Sequence, residues 1–393
     1  MSILSHIALR IVTQAGLDTS LSIHTKYISN EVKTVEGTAL NDIEGVSKKS
    51  KIKNRKERLN RSKKGIKSFT KKNFKEDDEK KVEDKMSFEE KLELRAAQIY
   101  SLCTHCEIRK GDDYLKRIVM AMFLTECLKK GGFFKKCTEN VEKAKVSIIE
   151  LIVRNLQLLQ FNAHEIYETV RGHHTFTGSK PVYVAVGIYP VGALFNHECY
   201  PAVARYFEGR NIVLRATRPL NPGDTVSENY GPNFMMRGLK ERRRALTCRY
   251  WFRCDCLACK EDWPTLKMMC GDTPPYIRCP NVACSGKYRA NLQCLPNRCS
   301  KCSTPINREL VKINMETVNK CVRQYQEGAK LMDEERPVEA ITAMCEAIDL
   351  YHEIARPPHR DTHLAQEALR SCYAAGGNIH VVREDIQKEV ANE

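Results

Sequence analysis

The sequence lacks any apolar run long enough to cross a bilayer. Its longest, IVMAMFLTECL, is interrupted by Thr125 and Glu126, whereas a spanning helix needs about 20 apolar residues. No membrane partner is expected. The first residues, MSILSHIALRIVTQ, also lack the basic stretch and small-residue cleavage site of a secretory leader. The 18 cysteines therefore do not read as a disulfide scaffold, and ten of them fall between Cys248 and Cys302. A reducing compartment and zinc are expected instead. With 393 residues the chain can hold two or three domains and a sizeable core.

Outside one segment, an excess of charge is missing as well. The formal net charge is +15, but residues 48–75 hold 14 Lys and Arg against one acid, leaving about +2 for the remainder. The apolar residues of that segment, Ile52, Leu59, Ile66, Phe69 and Phe74, are too few to offset the entropy of ordering it. It reads as a solvated loop, or as a nuclear-import or nucleic-acid-touching segment. The nucleic-acid reading is the weaker, because the charge is far in sequence from the cysteines and carries no interleaved aromatics.

Helical periodicity is present at both ends. Ile3, Leu4, Ile7, Ala8, Ile11 and Val12 mark one face of a first helix. Ser87 and Glu90 form a capping-box pattern ahead of Leu92, Leu94, Ala96 and Ile99, and further helices are expected at about 114–130 and 139–160. The lone pair Cys103 and Cys106 has no second pair nearby and is expected to pack in a core. Between 180 and 230 short β-like runs, VYVAVGIY, AVARYF and NIVLRAT, are separated by the turn sequences EGRN and NPGD. From Val311 three antiparallel helices, broken near Pro337 and Pro357-Pro358, resemble a tetratricopeptide-type array.

Two cysteine constellations carry metal spacing. Cys254, Cys256 and Cys259 offer three thiolates where tetrahedral zinc takes four, and Cys199 in NHECYP is the candidate for the fourth. Cys279, Cys284, Cys299 and Cys302 read as two facing knuckles of a zinc ribbon, with Cys270 or Cys294 as substitutes for a ligand.

The order GALFNHECYP, then SENYGP, then RYWFRCDCLAC resembles the SET and MYND domain family of protein-lysine methyltransferases. The likeness covers the first helix and roughly residues 87–393, and the basic segment lies outside it. The resemblance implies an α+β fold with a β-rich SET C-terminal core. Its parts would be the start of a helical insert (1–46), a disordered charged segment (47–86), the rest of the helical insert (87–170), the core (171–247), a post-SET zinc segment (248–264), a zinc-ribbon-like insert (265–311) and a tetratricopeptide-like tail (312–393).

It further implies that Asn162, Asn196, His197 and Phe252 contact S-adenosyl-L-methionine, with Phe252 on the adenine, and that Cys199, Cys254, Cys256 and Cys259 hold zinc. Tyr230 would be the active-site tyrosine and Tyr250 would line the lysine channel. Methyl transfer to an amine is an in-line displacement needing a neutral lysine and close approach, which a desolvated aromatic channel favours. The expected partners are a lysine-bearing protein substrate and a protein or chaperone on the helical tail, in the cytoplasm and nucleus. The chain departs from the family pattern in three places: no glycine-bearing first SET strand, no MYND cluster before Cys103, and Ala202 where asparagine is usual. An N-terminally truncated, weakly active chain is therefore expected. The alternative is a non-catalytic, zinc-stapled interaction module that binds partners through its tail.

Overall fold

A computed structural model describes residues 2–29, 86–138, 140–271 and 273–380. The basic segment 48–75 lies outside them. The described residues combine helices with small sheets and fall into two compact units, Met1–Asn162 and Ala163–Glu393.

The first unit is helical: α1 (Ile3–Ala15), α2 (Leu17–His24), α3 (Phe88–Tyr100), α4 (Gly111–Lys130) and α5 (Val141–Asn162). Ser87 and Glu90 cap α3 reciprocally: the Glu90 N–H donates to Ser87 Oγ at 3.1 Å and the Ser87 N–H donates to Glu90 Oε2 at 2.8 Å. Two orphan donors of the first turn are thereby satisfied. The buried face of α1 is Ser5, Ala8 and Val12, and Ile3 stays 58% exposed. Of the apolar stripe expected from the sequence, Ala8 and Val12 are buried and Leu4, Ile7 and Ile11 half-buried, with Ser5 joining the face that packs on α5. Helix α5 supplies the centre of the unit through Ile148, Leu151, Ile152 and Leu159, each at most 1% exposed. The buried Tyr100 hydroxyl donates to Asn155 Oδ1 at 2.9 Å, while Asn155 Nδ2 is buried without a partner. Cys103 is exposed and Cys106 half-buried, so the pair is not packed in a core; it lies after α3, next to the buried Leu102.

Directly after α5 the stretch AHEIYETV, which the resemblance places in the helical insert, is a strand, β1 (Ala163–Val170). It pairs antiparallel with β2 (Lys180–Ile188), with a bulge between Ile166 and Tyr167. Cross-strand pairing of β-branched and aromatic residues such as Tyr167 with Tyr183 outweighs the helical pattern that precedes it.

The remaining strands of the second unit are short. Strand β3 (Asn196–His197) pairs parallel with β6 (Ser227–Glu228), while β4 (Val203–Glu208) and β5 (Asn211–Ala216) form a hairpin turning at Gly209, whose φ of 56° suits glycine. Helix α6 (Leu239–Tyr250) and the single turn α7 (Leu257–Lys260) follow. A three-stranded sheet in the order β8-β7-β9 joins β7 (Tyr276–Arg278) and β8 (Lys287–Arg289) to β9 (Ala355–Arg356), which lies between the second and third helices of the tail. Those tail helices are α8 (Arg308–Asp333), α9 (Pro337–Ile354) and α10 (Arg360–Ala375). Pro337 sits in the first turn of α9, where its missing N–H has no helical partner to lose. One apolar core runs through strand, sheet and tail: Tyr206, Ile277, Tyr288, Val318, Met344 and Tyr351 are all buried in it. Helices α8 and α9 meet at Gly328, where an added Cβ would lie 2.8 Å from Met344.

Candidate functional site

The parallel pair β3-β6 organises the site. Beyond its register, the Glu198 N–H donates to the Glu228 carbonyl and the Ala202 N–H to the Ser227 carbonyl, both at 2.9 Å. Residues 196–202 are thereby laced against 227–228, which carries Cys199 into the interior (0% exposed) and places Tyr230 next to His197.

Cys199 meets the three cysteines after α6. All four sulfurs of Cys199, Cys254, Cys256 and Cys259 lie within 4.8 Å of one another, with Cys199 to Cys254 at 4.0 Å and Cys199 to Cys259 at 3.5 Å. Zinc–sulfur bonds of about 2.3 Å at tetrahedral angles put sulfurs about 3.8 Å apart, whereas a disulfide requires about 2.05 Å. The spacing fits one metal ion and no disulfide. The thiols themselves cannot all ionise at this range without a cation: hydrogen bonding among the sulfurs pushes Cys199 up and Cys259 down.

Arg242 on α6 closes the cluster from behind. Its side chain is fully buried, and it donates to the Arg237 carbonyl at 2.7 Å, the Ala258 carbonyl at 3.2 Å and Cys259 Sγ at 3.7 Å. Burial opposes its charge, but the sulfurs of Cys259 and Cys199 hold its pKa above the ordinary arginine value. A zinc ion with four thiolates carries a net charge of about −2, and a buried guanidinium beside it offsets part of that.

The second quartet, Cys279, Cys284, Cys299 and Cys302, is also gathered within 4.8 Å, with Cys279 to Cys302 at 3.4 Å and Cys284 to Cys299 at 3.9 Å. The Gly286 N–H donates to Cys284 Sγ at 3.3 Å and the Lys301 N–H to Cys299 Sγ at 3.4 Å, so each knuckle turns back on its own sulfur. A Cβ at Gly286 would sit 2.6 Å from Cys299 Sγ, which leaves no room for a larger residue. Cys270 and Cys294 are exposed and outside the cluster.

His197 connects the first cluster to an aromatic group. Its Nδ1 accepts from the Tyr230 N–H at 3.0 Å, which assigns the ring proton to Nε2, 3.4 Å from Cys199 Sγ. Burial holds the ring neutral, its pKa lowered to about 4. Around it lie Tyr230, Tyr250 and Phe252, with ring centroids 5.0 Å apart for the tyrosines, 6.4 Å for Tyr230 and Phe252, and 6.0 Å for His197 and Phe252. The Tyr230 hydroxyl donates to the Phe195 carbonyl and the Tyr250 hydroxyl to the Tyr230 carbonyl at 3.4 Å. Burial, followed by the charges of Glu228 and Tyr250, raises the Tyr230 pKa to about 12. Both tyrosines therefore stay protonated and act through hydrogen bonds.

Asn196, one residue from Phe195, is exposed, and its amide makes no hydrogen bond among the described residues. Asn162 belongs to the first unit as the last residue of α5, where its Nδ2 donates to the Cys103 and Leu158 carbonyls, both at 2.8 Å.

No family model matches the chain. It is 25% identical over 244 residues to protein-lysine N-methyltransferase SMYD4 of Mus musculus, a match covering 61% of this chain and 29% of that protein. The same-named protein of Homo sapiens is 26% identical over 194 residues, covering 49% and 24%. Histone-lysine N-methyltransferase SMYD3 of Mus musculus is 36% identical over 89 residues, covering 23% and 20%. The chain thus matches less than a third of the length of each. It is similar to the SET and MYND domain-containing methyltransferases.

Residue spacing pointed to the two quartets, and the resemblance pointed to the aromatic residues that the fold brings near the first. It did not single out Arg242. The signal was the run Arg242-Arg243-Arg244 on a helix leading into the cysteines, where 3.6-residue periodicity turns one arginine inward. His197 was read as a cofactor contact, and both of its ring nitrogens face protein groups.

Proposed function

We propose that the chain carries the C-terminal SET core of an S-adenosyl-L-methionine-dependent protein-lysine N-methyltransferase, with the first quartet as its post-SET zinc site and the second as a structural zinc ribbon. The observation that carries this reading is the aromatic group of Tyr230, Tyr250 and Phe252, packed on His197 beside four metal-spaced sulfurs. Tyr250 ends α6 and Phe252 lies two residues before Cys254. Metal at Cys254, Cys256 and Cys259 would fix both rings against the β3-β6 pair, which is how a structural ion positions a site.

The residues present fit the cofactor. The free Asn196 amide would meet its polar part, Phe252 would stack on the adenine, and His197 would act through its backbone while its ring holds Tyr230. S-adenosyl-L-methionine, when bound, supplies an electrophilic methyl group. The chain's own part is to desolvate a lysine side chain between Tyr230 and Tyr250, so that the amine loses its proton more readily, and to orient it by the tyrosine hydroxyls. The substrate would be a lysine-bearing protein.

The test is methyl transfer from labelled S-adenosyl-L-methionine, with cofactor binding measured separately by calorimetry. Tyr230→Phe is expected to lower turnover about 10- to 100-fold, the scale of a misplaced reacting group, with little change in cofactor affinity. Asn196→Ala and Phe252→Ala are expected to weaken cofactor binding first. Unchanged turnover with Phe at position 230 would remove the catalytic role, and a chain that binds no cofactor would favour a zinc-stapled interaction module.

A further inference from the structure

The second unit contains a cavity of about 730 Å³ that this reading leaves unused. Three arginines line it, Arg218, Arg278 and Arg356, together with Tyr200 and His352. Arg356 lies opposite Tyr276 in the β7-β9 pair, so Arg278, two residues further along β7, shares its face of the sheet.

The protein meets these charges poorly. Among the described residues no group accepts a hydrogen bond from the Arg356 guanidinium, and its Nε is buried without a partner. The Nε of Arg218 is buried and unpartnered too; its carboxylate, Glu198 Oε2, is 3.7 Å away and already accepts from the Ser227 hydroxyl at 3.0 Å. Arg278 makes one long bond, Nε to the Ala355 carbonyl at 3.4 Å. Burial, then the like charge of Arg356, lower its pKa, and the charge of Asp224 offsets part of that.

Among the described residues, none of the other acids lining the cavity accepts a hydrogen bond from the three arginines, and Asp224 acts on Arg278 only through its charge. Asp224 accepts from the Asn221 N–H at 2.8 Å, and Asp224, Asp349 and Glu353 are all exposed. His352 is taken up by the Tyr200 hydroxyl, 3.3 Å from its Nε2. A buried, unpaired donor costs about 1–3 kcal/mol, more when charged. Guanidinium forks are matched by carboxylate and phosphoryl oxygens, which accept two parallel bonds.

We propose that this cavity is an oxyanion site, in which a carboxylate or phosphoryl group, free or borne on a peptide side chain, is held by Arg278 and Arg356 with Arg218 as a third donor. The cavity borders Cys256 of the first quartet, and its anion chemistry requires no methyl transfer.

Calorimetry on the full zinc-loaded chain tests it with three probes: inorganic phosphate, a glutamate-containing peptide and the same peptide with phosphoserine. At least one probe is expected to bind. The double change Arg278→Gln with Arg356→Gln should weaken that probe at least about tenfold, roughly one charge-assisted contact, while Arg253→Gln on the exposed surface leaves it unchanged. Tighter binding of a peptide than of inorganic phosphate assigns the group to a peptide, and the reverse to a free anion. Should the double variant fail to fold, Arg278→Lys with Arg356→Lys keeps the charge, loses the fork and should still weaken binding. Binding by none of the probes, or undiminished binding in whichever pair of changes folds, overturns the proposal.

Discussion

Replacing Arg242 is expected to loosen the first metal site without touching a ligand. The side chain is fully buried and donates to the carbonyls of Arg237 and Ala258 and to Cys259 Sγ. Arg242→Met keeps most of the volume, removes the charge and strands both carbonyls. Losing one partner of a buried charged arrangement costs about 3–5 kcal/mol, and a lost outer-shell contact costs about 10- to 100-fold in metal affinity. Some of the first figure is recovered, because Arg242 Nε is itself buried without a partner. A net destabilisation of about 2–4 kcal/mol is therefore expected. The measurements are zinc release to a chromogenic chelator and thermal melting, with exposed Arg244→Met as the control. Faster release of one zinc equivalent of two, together with a lower melting temperature, is the expected result. Release kinetics identical to the unchanged protein would show that the thiolate cluster does not depend on the buried guanidinium.

Three further outcomes follow from the same structure. Gly286→Ala should cost the second quartet its metal, giving about one zinc per chain by metal analysis, because a Cβ there would lie 2.6 Å from Cys299 Sγ and 3.2 Å from Cys284 Sγ. His352 and His363 are both held neutral in the fold, chiefly by burial, with pKa values lowered to about 3. Arg218, Arg278 and Arg356 also oppose charge on His352, while His363 faces His359 and Arg370 and is bonded to Gln366, with Tyr200, Phe234 and Trp263 around its ring. Because the unfolded chain takes up these protons first, their stabilisation is complete above about pH 6.5 and is lost as pH falls from there toward 3, by up to about 1.4 kcal/mol per pH unit for each histidine. Melting of His363→Gln against the unchanged protein between pH 7 and pH 5 should show a shallower fall in the variant, and parallel curves would contradict the assignment. Tyr200→Phe removes the hydroxyl that accepts from Gln366 Nε2 at 2.9 Å and lies 3.3 Å from His352 Nε2, and should lower stability by about 1–3 kcal/mol in denaturant unfolding.

Local chemistry was enough to read several features from the residues alone. The Ser87 and Glu90 capping box, the hairpin turn at Gly209, the proline start of α9 and the grouping of cysteines by spacing all depend on neighbours within a few positions. The choice of Cys199 as fourth sulfur also came from the residues, since three close thiolates leave a tetrahedral ion one ligand short. What the residues left open was decided by contacts distant in the chain. The resemblance alone placed 163–170 in a helical insert, and pairing with β2 makes it extended. Ile3 looked like a core residue by periodicity, but it opens α1 and is 58% exposed, while Ala8 and Val12 of the same stripe are buried. The inward turn of one arginine among three, the two occupied nitrogens of His197 and the unpaired guanidiniums on the β7-β9 face belong to this second class. Spacing along the chain sets which side chains can share a turn, whereas burial and pairing of charge depend on which surfaces meet, and that is a property of the packed molecule.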